Sequence, residues 1–150
     1  MPDFAFSVEE MRAFAEGSLP KYQAELVFEL LADPDLDDHK VDTLGEKFTG
    51  EYDESSMIIN VGAKRKKNTF WINVKKEVYK AFCTETPEYS KERSIVGNGF
   101  ENVVSTISGI LVAQFNLAAG IATGLSTVAL IGVAKVGKNA WCITNKELSD

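Results

Sequence analysis

Ionisable side chains are missing from residues 102 to 134: those 33 positions hold no Asp, Glu, Lys, Arg or His in a chain that is 25% charged. Histidine is scarce everywhere, with His39 alone, and the only cysteines are Cys83 and Cys142. A single histidine in an acidic stretch, with no serine or cysteine at a motif spacing, excludes the familiar nucleophile–base pairings. Cys83 has only Lys80, one helical turn earlier, as a candidate activating neighbour. The two cysteines follow neither a CxxC nor a zinc-ligand pattern, so they read as reduced and partly buried, with a disulfide as the alternative. Gly97-Asn98-Gly99 lacks the lysine and spacing of a phosphate loop, and reads as a helix stop followed by a helix start. The opening Met1-Pro2-Asp3-Phe4 lacks a basic n-region and an apolar stretch, which predicts an N-terminus that stays in the cytoplasm. Together these absences predict a chain that is not an enzyme and holds no cofactor or metal.

What is present is divided. The 150 residues suffice for one domain with a real core, and the content of apolar (45%) and aromatic (10%) residues is that of a folded chain. Residues 1–54 hold 15 acidic and 4 basic side chains, whereas 55–150 hold 7 acidic and 12 basic, within a net charge of −6. An acidic head argues against nucleic acid and points to an unidentified protein partner.

Along the head, Ser7-Val8-Glu9-Glu10 reads as a capping box with Phe6 and Met11 as its staple, and the helix it starts stops near Gly17. Ser18 and Pro20 open a second helix, with Tyr22, Leu26, Val27, Leu30 and Leu31 at helical spacing, that Asp33-Pro34 ends. Asp33 to Asp38 reads as an acidic surface loop. Asp35, Asp37, His39 and Glu46 fall in a calcium-loop register, but Lys40 occupies the position where the sharp turn needs glycine. Ser56 to Val61 and Thr69 to Val74 read as strands joined by a basic turn, Lys64-Arg65-Lys66-Lys67, with Thr43 to Glu51 as a possible third strand. Helical spacing returns from Lys75 to Cys83, and Thr86-Pro87 opens a short helix that ends at Gly97. The expected class is therefore α+β: a charged head over residues 1–97, then an apolar helical hairpin over 98–150.

The uncharged run predicts a helix from Phe100 to about Asn116, a turn, and a second helix to about Val136. A hydrocarbon core takes about 20 helical residues to cross, so 33 are too many for one span and slightly few for two. Ser105, Gly109 and Ala113 repeat at a four-residue step, and Gly120 and Gly124 form a GxxxG pair; both patterns let helices approach closely and predict self-association. Lys91 and Arg93 before the run, and Lys135, Lys138 and Lys146 after it, place every flanking cation on one side if the run is a hairpin. Trp141 stands where an interfacial aromatic would anchor it. Lys64 to Lys67 would add attraction to anionic headgroups. Gln114 and Asn116, awkward in hydrocarbon, fall at the hairpin tip. The composition and placement are similar to those of the apolar hairpin that pore-forming colicins carry inside a soluble bundle; fewer than a third of the residues share in this and no motif does.

Two readings follow. In the first, a small bacterial-type protein keeps a cytoplasmic head on the inner membrane and uses the hairpin as an anchor or to perturb the bilayer, with lipids and a second copy of the chain as partners. In the second, a soluble cytoplasmic interaction module or homodimer buries the hairpin as its core, since a helix apolar all round is simply a central one.

Overall fold

The computed structural model describes residues 6–51, 69–84 and 99–149. Helices account for 82% of these, and no strand is found among them, so the α+β expectation is corrected to all-α. Helix α1 (Val8–Ser18) starts at Ser7, whose hydroxyl accepts from Glu10 N at 3.0 Å. The other half of the expected capping box goes elsewhere: Glu10 Oε2 accepts from Phe100 N at 3.0 Å and caps a distant helix. Helix α2 (Lys21–Ala32) follows Pro20 and ends at Asp33. Asp37 caps α3 (Asp38–Thr49) by accepting from Lys40 N at 2.9 Å, and Gly50, at φ +81°, closes it in the left-handed region.

Both described strand candidates are helical. Of Thr43 to Glu51, residues 43–49 fall in α3, where Val41, Leu44, Gly45 and Phe48 recur at helical spacing, and Gly50 and Glu51 follow its end. Thr69 to Val74 begins α4 (Phe70–Phe82), and the Thr69 hydroxyl accepts from Ile72 N at 3.2 Å. Six residues are too few to separate a two-residue period from the start of a helix. The alternation Phe70, Ile72, Val74 misses the core face: Phe70 and Ile72 are only half-buried, whereas Trp71, Val74, Val78 and Phe82 are buried, with Tyr79 and Ala81 beside them. Glu51 fixes the start of α4 by accepting from Phe70 N and from Trp71 N, at 2.6 and 2.9 Å. The strand expected over Ser56 to Val61, the basic turn Lys64 to Lys67 and the helix from Thr86 to Gly97 lie outside the described residues.

The apolar run forms a hairpin: α5 (Phe100–Phe115), a turn in which Asn116 takes φ +55°, and α6 (Ala119–Val136). Helix α7 (Lys138–Thr144) and a 3-10 turn (Lys146–Ser149) complete the chain. Helix α6 is the central element. Ten consecutive residues, Gly124 to Val133, are buried, so it is enclosed on every side by α5, α3, α4, α2 and α7. Its hydroxyls are satisfied without water. Ser126 and Thr127 each donate to the carbonyl four residues back at 2.7 Å, and Ser108 of α5 donates to Ser126 across the hairpin at 3.2 Å.

Candidate functional site

The bundle has two ends with different chemistry, and the hairpin sets them apart. Helix α3 runs antiparallel to α6: a Cβ at Gly124 would lie 2.7 Å from Gln23 Oε1 and 3.4 Å from Phe48, and one at Gly132 would lie 2.9 Å from Val41. The end of α3 and the start of α2 therefore stand near the hairpin tip, and the start of α3 stands at the opposite end. Helix α4 begins at the tip end too, where Phe70 meets Phe115 edge-on at 5.4 Å.

The hairpin tip itself is uncharged and partly apolar. Ala113, Ala118, Ala119 and Gly120 are exposed, as are Val112 (37%) and Ile121 (47%). Tyr22, 65% exposed, stands on the neighbouring start of α2, its hydroxyl accepting from Gln23 Nε2 at 3.2 Å. Lys21 and Lys47 are exposed on the same end of the bundle.

The opposite end holds the acidic loop. Asp33, at the end of α2, accepts from Lys40 Nζ at 2.9 Å and from Asp35 N at 2.8 Å; these bonds hold its carboxyl below the ordinary value of 3.8, and the partnership raises Lys40 above 10.5. The calcium register is used otherwise: Asp37 is a helix cap and residues 38–49 are helical, so no twelve-residue loop exists. Among the described residues no group of three or more acidic, cysteine or histidine side chains could hold a metal.

Deeper at this end lies a buried charged cluster. Lys75, its side chain 3% exposed, donates to Asp42 Oδ1 at 2.8 Å and to Asp38 Oδ2 at 3.0 Å. Asp42 Oδ1 also accepts from Trp71 Nε1 at 2.8 Å. Lys75 Nζ stands 5.8 Å from the ring of Trp141. The cluster ties α3, α4 and α7 together, and its partners are all within the chain.

The residues expected to share one membrane-facing surface are dispersed. Ser105, Gly109 and Ala113 form an exposed stripe on α5. Gly120 is exposed with open space around it, whereas Gly124 is buried against α2 and α3, so the GxxxG pair presents no single face. Lys135 is exposed and Lys138 half-buried, both at the end away from the tip. Trp141 is 1% exposed and packs under the bundle, not on its surface. Lys64, Arg65, Lys66 and Lys67 lie outside the described residues. The cysteines are corrected as well: Cys83, at the end of α4, and Cys142, in α7, are joined in a disulfide with their Cα atoms 5.6 Å apart. Their separation in the chain hid this pairing.

One helix among the described residues, Ala119–Val136, is long and apolar enough to cross a membrane, and a core helix of a soluble protein has the same length and composition. Comparison of the chain with family models, with curated proteins and with solved structures gave no match in any of the three.

Proposed function

We propose that this chain is a non-enzymatic helical protein that associates with anionic membrane surfaces through the tip end of its hairpin, while α6 stays in the core of the bundle. The observation that carries this reading is the exposed, uncharged tip from Val112 to Ile121, within a run of 33 residues that has no ionisable group. Exposed apolar surface of that kind marks an interaction site. Its surroundings favour lipid. Lys21, Tyr22 and Lys47 flank the tip. Each basic residue near an anionic surface contributes about 1 kcal/mol, weakened by salt. The acidic loop Asp33–Asp38 is at the other end, where it faces away from lipid headgroups.

A second reading rests on the exposed stripe Ser105, Gly109 and Ala113, which allows close approach of a second copy without opposing charges. Vesicle flotation separates the two. The membrane reading expects the full chain to float with phosphatidylglycerol vesicles, to float poorly with phosphatidylcholine, and to lose binding in salt. Failure to float with either lipid would sink it, and a dimer in sedimentation equilibrium would then favour the second.

A further inference from the structure

We propose that the Cys83–Cys142 disulfide is a redox lock that keeps the apolar hairpin inside the bundle. Cys83 caps the end of α4, and Cys142 lies in α7, the helix that directly follows α6. The ring closed by this bond contains the whole hairpin, residues 100–136. With the bond in place, the far foot of the hairpin is tied to α4. With the bond open, α5, α6 and α7 are joined to the head covalently only through the chain between Thr84 and Gly99.

Without the bond, α7 is held by Trp141 alone among its large side chains, through Tyr79 at 6.4 Å between ring centres and Lys75 at 5.8 Å. It has seven residues and no side-chain cap, and it is entered through Gly137 at φ +98°. Its one large buried residue, Trp141, is buried with its indole N–H unpartnered, which opposes docking. A Cβ at Gly132 of α6 would stand 3.6 Å from that same Nε1, so Trp141 is the piece that closes the end of the core. Lifting α7 uncovers α6 at its most apolar stretch. The hairpin then leaves as a pair, held together by its own packing and by the Ser108–Ser126 bond.

The chemistry is thiol–disulfide exchange with a dithiol. Its thiolate attacks one Sγ, the Cys83–Cys142 bond breaks, and a mixed disulfide forms. The second thiol of the reductant displaces the protein sulfur and leaves as its own disulfide. Two electrons pass to the protein, and its two sulfurs end as thiols. Both cysteines are half-buried, not sealed, so a small dithiol reaches them. An oxidising compartment keeps the lock shut and a reducing cytoplasm opens it.

What the freed hairpin does next rests on the membrane reading above; its release does not. Hydrogen exchange on the full chain without lipid is compared in three samples: oxidised, reduced with dithiothreitol, and a Cys83→Ser/Cys142→Ser double variant. The lock predicts that α6 amides exchange about tenfold or more faster in the last two, while α2 and α3 stay protected. Equal protection of α6 in all three overturns it. So does loss of protection throughout the chain, which makes the bond a general crosslink. Dye-filled phosphatidylglycerol vesicles are then added. Released α6 with no flotation of any of the three samples counts against the membrane reading and leaves the lock standing. Flotation of the oxidised protein with unchanged α6 exchange does the reverse.

Discussion

Glycine carries three different meanings in this chain, and substitution separates them. Gly45 lies under the indole of Trp71, and a Cβ there would clash with three of its ring carbons. Gly45→Ala is expected to destabilise by about 3 kcal/mol, the upper range for overpacking, measured by urea unfolding. Gly109 stands mid-helix in open space, so Gly109→Ala is expected to raise stability by about 1 kcal/mol in the same assay. Gly50, at φ +81°, is required by its backbone. Lys75 gives the sharpest charge test. Lys75→Met leaves Asp38 and Asp42 facing one another beneath the surface, and a loss of about 3 kcal/mol is expected. At this scale the sequence was partly legible. Ser7 announces a helix start and Asp33-Pro34 a helix end from residue type alone, whereas Gly50 falls inside a stretch that reads as a strand, and nothing in the sequence links Glu10 to Phe100, Lys75 to Asp42 or Cys83 to Cys142. Those pairings arise from the packing of helices far apart in the chain.

Among the elements, the hairpin was legible, whereas two helical stretches of the head read as strands. Absence of charge from 102 to 134, with turn residues midway, marks two helices because no other element uses so long an uncharged run. The head misled for a reason visible at Trp71. Its alternating neighbours mimic a strand, and only burial shows that the core face runs 71, 74, 78, 82. Where the hairpin turns its faces was not legible either, since α6 is apolar on all sides and its neighbours decide what is covered. The α2–α3 connection carries a pH prediction. Asp33 is depressed below 3.8 by Lys40, so its contribution is present above about pH 4 and is lost as pH falls through the lowered value. Lys40, raised above 10.5, keeps its contribution below that value and loses it at higher pH. Carbon-detected titration of Asp33 checks the sign: a midpoint below that of an unstructured aspartate is expected, and Lys40→Met should return it part of the way, because the bond from Asp35 N remains.

For the whole molecule, the arrangement is a bundle with an acidic loop at one end, an uncharged hairpin tip at the other and an apolar helix enclosed between them. That polarity explains how a chain with a potential spanning helix has a place for it inside: the head, small as it is, covers α6 by placing α2, α3 and α4 around it while α5 covers the fourth side. Association through the tip leaves this core undisturbed, and the disulfide governs whether it can open. The most direct test of the central claim is flotation of the full oxidised chain, with Val112→Glu/Ile121→Glu as the comparison, on phosphatidylglycerol vesicles at low salt. Both positions are exposed, so the variant keeps its fold, as circular dichroism will show. The account predicts that the parent chain floats and the variant stays at the bottom of the gradient. Equal flotation of the two, or none of either, would contradict it.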